Sequence, residues 1–396
     1  MYIALASFAG LVFLYSLISE RVESLSLSGP IVFVAVGVLL GPLGLAWFSP
    51  TGETFNGKAL IDITLALFLF VDAASADLMV LRRNWRIPGR MLLLGLPVKM
   101  LLGALLAGLL FPELSLYESA ILGVMLAATD AALGKAVVTN KSVPSHLREG
   151  LSAESGLNDG LCVPFLLLFI ALEKGSAAWG EGVAIELLAE EIGIGMLVGA
   201  LFAFAAARVI CAARDAGWLG HVWQRMSVPA LAVLIFAVAQ QFHGSGYIGA
   251  FVGGLFFRWA MKEDVHEMLL PAEGIGELLA LIAWVLFGMM LLPAALPFIG
   301  WTELLYAVLS LTLVRMLPII TSLAGTGEPM KSKAFLAWFG PRGLASLAFA
   351  SIVWSEQIPA AGTLVAVTIL TVGISLFVHG ITAKPFAQRL AAGNAP

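Results

Sequence analysis

Long apolar runs, most of them close to 20 residues, follow one another along the whole chain. They leave few folds open. The hydrocarbon core of a bilayer is about 30 Å thick, and a helix crosses it in about 20 residues. Backbone N–H and C=O groups find no water at that depth, so each crossing segment must satisfy them internally, as a helix does. Turn residues and charges divide the runs into thirteen predicted spans: 3–19, 30–48, 58–78, 90–112, 117–139, 149–172, 184–212, 228–242, 246–261, 273–292, 300–323, 333–355 and 361–384. The weakest division lies at His243-Gly244-Ser245-Gly246, where a short turn has to reverse the chain. Composition agrees. The 396 residues are 60% hydrophobic and 12% charged, against about 25% charged in a soluble domain. The expected class is an all-α polytopic membrane protein.

A net charge of −4 and scattered basic residues argue against a nucleic-acid partner. Cys162 and Cys211 lie in apolar segments and read as small buried hydrophobes. The first apolar run follows Met1 without a basic leader or a small-residue cleavage site, so no cleaved signal is expected. Lysine and arginine placement tests the span count. With the N-terminus outside and the C-terminus cytoplasmic, sixteen of the 22 fall on the cytoplasmic side and two, Lys58 and Lys174, outside. The other four, Lys99, Lys135, Arg315 and Arg342, lie within spans. Such a bias is the positive-inside pattern of a multi-pass protein of the plasma (inner) membrane. Thirteen spans also allow spans 1–6 and 8–13 to be two six-helix repeats, the second inverted, a plan common in secondary transporters. Thr129-Asp130 near the middle of span five and Gly340-Pro341-Arg342-Gly343 near the middle of span twelve occupy matching places. They predict broken helices crossing at the midplane.

The chemistry is expected where charge enters the spans. Glu154-Ser155-Gly156-Leu157-Asn158-Asp159-Gly160 stacks Glu154 over Asn158 and Ser155 over Asp159, one helical turn apart. Eleven residues beyond Arg148, at about 1.5 Å each, Asp159 reaches roughly 16 Å, the middle of the membrane. A carboxylate there costs about 2.5–3.5 kcal/mol on insertion scales and points to function; the bland alternative is a protonated structural Asp. Asp130 and Thr129 are either caps of a half-helix or, with its freed carbonyls, oxygen ligands for a hard cation. Arg315 and Arg342 need acids or carbonyl ends as partners. Glu154–Arg315 is the expected pair, with Arg342 facing half-helix carbonyls or Asp130. Lys135 reads as snorkelling, and Lys99, near Pro97, has no partner legible in sequence. Asp72 and Asp77 are candidates for a cytoplasmic funnel.

These residues, in this order, carry a resemblance. Ala128-Thr129-Asp130, then the Glu154–Gly160 run, Arg315 and Gly340–Gly343 resemble the cation:proton antiporter superfamily. The Asn158-Asp159 pair is similar to its NhaP-type branch, which includes animal sodium/proton exchangers. Gly37–Leu45 in span two also resembles that superfamily, whereas Ala131 departs from the Pro that many relatives have there. The resemblance implies a homodimer whose interface domain is 1–80 and 184–292, and a mobile ion-binding core of 81–172 and 297–390. The segment 173–213 would include the linking helix. The short tail after span thirteen suggests no regulatory domain.

The expected function is secondary active exchange of a monovalent cation for a proton, sodium first. Na⁺ would bind at Asp159, Ser155, Thr129 and Asp130, beside Asn158, with Glu154, Arg315 and Arg342 as structural ion pairs. A carboxylate that accepts either Na⁺ or H⁺ is neutral in both loaded states, so the core shifts only when loaded. Asn158 cannot titrate, so the exchange is expected to be electroneutral. No cofactor and no enzymatic chemistry are called for; the transported ions would be Na⁺ or Li⁺, with K⁺ open. The competing reading is a sodium-coupled transporter of another small solute on a related inverted-repeat fold.

Overall fold

The computed structural model describes residues 2–24, 28–47, 57–76, 85–130, 133–140, 142–178, 181–261 and 265–392. Every regular element among them is helical: α1 (Tyr2–Ser24), α2 (Gly29–Leu40), α3 (Gly57–Ser75), α4 (Arg86–Leu110), α5 (Leu116–Met125), α6 (Lys135–Val138), α7 (Ser145–Ala178), α8 (Glu181–Asp215), α9 (His221–Gln241), α10 (Gly246–Met261), α11 (His266–Phe298), α12 (Trp301–Ser322), α13 (Met330–Trp338), α14 (Leu344–Ser355) and α15 (Ala361–Ala392). Seven of these are long and apolar enough to cross a membrane, namely α4, α7, α8, α9, α11, α12 and α15. α2, α5 and α14 are shorter apolar helices.

Local sequence accounts for the irregularities. α4, α11 and α12 each contain a π-helical turn, at Met91–Gly95, Phe287–Leu291 and Ser310–Val314. Pro97, Pro293 and Pro318 follow them. A proline gives no N–H to the carbonyl four residues back and pushes that carbonyl away. Here those residues are Leu93, Met289 and Val314, each inside its π turn, so the wide turn absorbs the clash. α5 starts with a capping box: Ser115 Oγ accepts from Glu118 N at 3.0 Å, and Glu118 Oε2 accepts from Ser115 N at 2.9 Å. The other oxygen of Glu118 accepts from Ala360 N at 2.8 Å, so one buried acid anchors the starts of α5 and α15 together.

α10 packs between α8 and α3, α11 lies against α2 and α3, and α7 sits among α3, α5 and α8. Small residues bring these backbones close, as is usual in lipid, where van der Waals fit drives helix association. A Cβ on Gly199 of α8 would lie 2.3 Å from the Gly249 carbonyl oxygen of α10, and one on Gly254 would lie 2.2 Å from the Phe70 oxygen of α3. The largest apolar cluster runs through α3, α5, α7, α10 and α14, so α7 is held on several sides by packed side chains.

Two helical courses are interrupted. Between α5 and α6, and between α13 and α14, the backbone leaves the helix at Ala127–Asp130 and Phe339–Gly343, the places the sequence marks. The breaks touch: Asp130 N donates to Pro341 O at 2.8 Å. Predicted boundaries elsewhere shift. α7 extends beyond 149–172 to Ser145–Ala178, because polar ends remain helical without being apolar. The stretch 30–48 leaves the helix after Leu40, where Gly41 and Pro42 begin a turn. Asp77 and Ala131 lie outside the described residues.

The close α8–α10 approach predicts that Gly199→Ala lowers the thermal stability of the purified protein by about 1–3 kcal/mol, the usual cost of overpacking. Gly193→Ala, on the same helix where a Cβ meets nothing within 4 Å, should leave the melting curve unchanged or raise it. Equal behaviour of the two variants would contradict the packing.

Candidate functional site

α7 presents Ser155, Asn158 and Asp159 to the α5–α6 break, with Ser155 and Asp159 one helical turn apart. Asn158 grips the non-helical backbone. Its Oδ1 accepts from Thr129 N at 3.2 Å, and its Nδ2 donates to Thr129 Oγ1 at 2.5 Å. Thr129 Oγ1 and Ser155 Oγ are 3.1 Å apart and share a hydrogen bond. Asp159 is 8% exposed. Its Oδ1 is a buried oxygen that accepts no hydrogen bond. The carboxylate lies beside the Thr129 backbone and interacts electrostatically with Asp72 and Asp130. Asp72 comes from α3, which packs on α7 where residue 156 is glycine; a Cβ there would be 3.4 Å from that of Asp72.

Glu154 faces the other way, into a cluster of cations. Arg315 of α12 binds it with two prongs, Nη1 to Oε1 at 2.5 Å and Nη2 to Oε2 at 3.0 Å. Lys99 Nζ of α4 lies 2.9 Å from Oε1 and 3.3 Å from the Ala127 carbonyl oxygen. All three side chains are fully buried. Arg315 also reaches the last carbonyls of α13, Leu336 O and Ala337 O, at 3.4 and 3.3 Å. Space for its guanidinium depends on Gly340, where a Cβ would come within 2.3 Å of it.

The remaining charges close the two breaks. Arg342 Nη1 donates to Ala127 O at 3.1 Å and to Ala128 O at 2.9 Å, placing positive charge at the carbonyl end of α5. Asp130 accepts from Leu133 N at 3.0 Å and from Leu344 N at 2.8 Å, placing negative charge at the amide end of α14. Gly343 permits that contact, since a Cβ there would lie 2.0 Å from Asp130 Oδ2. Of the two roles expected for Asp130, its hydrogen bonds are those of a cap. A cavity lined by Gly134, Val138, Ser152, Phe339 and Pro341 reaches Ser155. Among the described residues no group of three or more His, Cys, Asp or Glu side chains could hold a metal ion.

The expected Glu154–Arg315 pair is therefore formed, and Arg342 faces half-helix carbonyls. The sequence reading missed Lys99 as a member of the cluster. Its depth beside Pro97 was the available signal, but its partner lies 55 residues away. Asp72 is brought nearer to Asp159 than a place near a span end suggested. The side chain of Lys135 lies outside the described residues.

A sequence profile of the family described as sodium/hydrogen exchanger, transmembrane, matches residues 4–389. The chain belongs to the sodium/hydrogen exchanger family. That family consists of transporters, not enzymes. This exchanger-family chain is 24% identical over 392 residues to the K⁺/H⁺ antiporter NhaP of Alkalimonas amylolytica, covering 96% of the chain and 66% of the relative. It is 28% identical over 376 residues to the Na⁺/H⁺ antiporter 2 of Zygosaccharomyces rouxii, covering 87% and 45%. The chain thus spans just under two thirds and about half of these relatives' lengths. Its fold matches that of the sodium proton antiporter MjNhaP1 of Methanocaldococcus jannaschii with a TM-score of 0.77, at 20% identity, over 98% of this chain and 99% of that one.

The doubly held Glu154 orders the effects of its neighbours in the exchanger-family chain. Glu154→Gln strands two cations, Arg315→Met leaves Glu154 to Lys99, and Lys99→Met leaves the two-pronged pair intact. Losses of thermal stability should fall in that order, the first about 3–5 kcal/mol. The Glu154→Gln/Arg315→Met double variant should lose less than the sum of the singles. Additive losses in calibrated melting of the purified proteins would show that the pair is not coupled.

Proposed function

We propose that this protein is a secondary active monovalent cation/proton antiporter in which Na⁺ and H⁺ compete for Asp159. The observation that carries the reading is the buried Asp159 Oδ1 without a hydrogen-bond partner, on a helix whose Ser155 and Thr129 neighbours supply oxygen atoms. Hard monovalent cations favour such oxygens. The inner ligands are Asp159, the Ser155 and Thr129 hydroxyls, and the Thr129 carbonyl. Asp130 shapes the site from beside the ion, its oxygens holding the amides of Leu133 and Leu344. Asn158 holds Thr129 in place and carries no charge, and Asp72 adds negative potential from α3.

The mechanism follows from charge. Glu154 is held by two cations and Asp130 by helix ends, so their protonation does not follow the transported ion. Asp159 is neutral when either ion is bound and charged when neither is, and only the loaded site crosses the barrier cheaply. One cation then moves for each proton, and exchange is electroneutral. In this reading the cavity that reaches Ser155 lies on the ion's path, and the lysine and arginine bias assigns the cytoplasmic side.

The architecture proposed to carry this cycle has thirteen crossings in the plasma (inner) membrane, with the N-terminus outside. Spans 1–6 and 8–13 form inverted repeats. Supporting them, α4 and α12 each place a π turn, a proline and a buried cation in the same region, and both cations reach Glu154. Residues 81–172 and 297–390 form the moving core. Residues 1–80 and 184–292 form a homodimeric scaffold, and 173–213 includes the link between them.

In proteoliposomes, sodium should dissipate an imposed pH gradient through the wild-type protein but not through folded Asp159→Asn. The sodium gradient that balances a fixed pH gradient should not move with an imposed membrane potential, although one elementary charge would feel about 2.3 kcal/mol per 100 mV. Cation-dependent proton flux through Asp159→Asn, or a voltage-dependent balance point, would contradict the one-carboxylate cycle.

A further inference from the structure

The α13–α14 break is closed on one side by Asp130 and Arg315. On its other side it rests on α15, through residues that neither the resemblance nor the proposed cycle uses. α13 ends at Trp338, whose carbonyl is one of the last four of a helix and lacks an intrahelical donor. It accepts from Gly340 N at 2.9 Å, and His379 Nε2 lies 3.0 Å from it. A carbonyl can only accept, so Nε2 carries a proton. Across the break, Arg342 N donates to Ser375 Oγ at 2.7 Å. Ser375 Oγ lies 3.1 Å from His379 Nδ1, whose distance to the Ser375 carbonyl oxygen is 3.0 Å. Both side chains are buried.

Ser375 and His379 are four residues apart on α15, and Thr382, three further on, accepts from Trp338 Nε1 at 3.0 Å. These three residues form one stripe of the helix. The His379 ring also packs on the Trp338 ring, with centroids 5.4 Å apart and planes at 31°. The two edges of the break are thus pinned to points about one helical turn apart, roughly 6 Å along α15. The backbone position of Arg342 follows from that pinning, and with it the contact of its guanidinium with Ala127 O and Ala128 O, next to Thr129.

We infer that His379 and Ser375 are positioning residues for the cation site: they clamp both edges of the α13–α14 break to α15 and thereby hold Arg342 over the carbonyl end of α5. The inference rests on Asp159 and Thr129 being that site. The helices themselves do not depend on the clamp, because Phe335, Leu336 and Phe339 are packed in an apolar cluster of their own and α14 lies in the main core. Loss of the clamp therefore moves the site more than it unfolds the protein.

The test compares full-length His379→Leu, His379→Gln and Ser375→Ala with wild type. Gln keeps a donor that reaches the Trp338 carbonyl; Leu keeps none. In proteoliposomes, His379→Leu and Ser375→Ala should raise the apparent KM for sodium about tenfold, with the maximal rate within about twofold, the size expected when a buried polar group loses its partner. His379→Gln should stay within about threefold of wild type. Amide hydrogen exchange in peptides covering 338–344 should quicken in His379→Leu and Ser375→Ala but not in His379→Gln. Wild-type KM and wild-type amide exchange in both disrupted variants would overturn the clamp. So would equal damage in His379→Leu and His379→Gln. If His379→Leu does not fold, Ser375→Ala carries the same expectations. A wild-type protein without exchange would contradict the antiporter reading, and amide exchange at 338–344 would then decide the clamp on its own.

Discussion

Non-helical backbone at membrane depth has to be satisfied by protein groups, because lipid offers none. Two such stretches meet in this structure, at Ala127–Asp130 and Phe339–Gly343, and most of the buried charge serves them. Arg342 and Lys99 take the carbonyl end of α5, Arg315 takes that of α13, and Asp130 takes the amide end of α14. Glu154 then holds Lys99 and Arg315. Each charge answers a dipole or a partner. Among the described residues, Asp159 is the acid that keeps a fully buried oxygen without a hydrogen bond. The site is what remains once the crossing is satisfied.

On the proposed reading, that division gives three neighbouring acids different work. A carboxylate held by two cations or by backbone amides keeps its charge while ions come and go. In the proposed cycle Asp159, whose Oδ1 accepts no hydrogen bond, takes a proton or an alkali cation in turn beside the Ser155 and Thr129 hydroxyls. Oxygen number and spacing then decide which alkali ion fits. The relatives named above include both a K⁺/H⁺ and a Na⁺/H⁺ antiporter, so membership of the family does not fix the ion, and in the proposed site that choice falls to these few oxygens.

Much of this was legible in the sequence, for reasons that are themselves physical. Hydropathy marks crossing segments because lipid excludes charge. The stripe from Glu154 to Asp159 shows itself because neighbours on a helix face are four residues apart. Arg315 was the expected partner of Glu154 because that pairing leaves Asp159 free to titrate. What could not be read are contacts between distant segments. Lys99 joins a glutamate 55 residues on, Asp130 caps a helix 214 residues on, and His379 reaches back 41 residues to a carbonyl. The π turns were hidden as well, although the prolines that cause them are plain. Helix ends such as Ser145 and Ala178 escaped because polar termini stay helical beyond the apolar window.

The central claim is that one carboxylate serves both ions. The most direct measurement is the number of protons released when purified protein binds sodium, obtained by calorimetry in buffers of different ionisation enthalpy. At a pH low enough to protonate the site before binding, the account predicts that one proton leaves for each sodium bound, and none in Asp159→Asn. Sodium binding without proton release, or release of two protons per sodium, would contradict it.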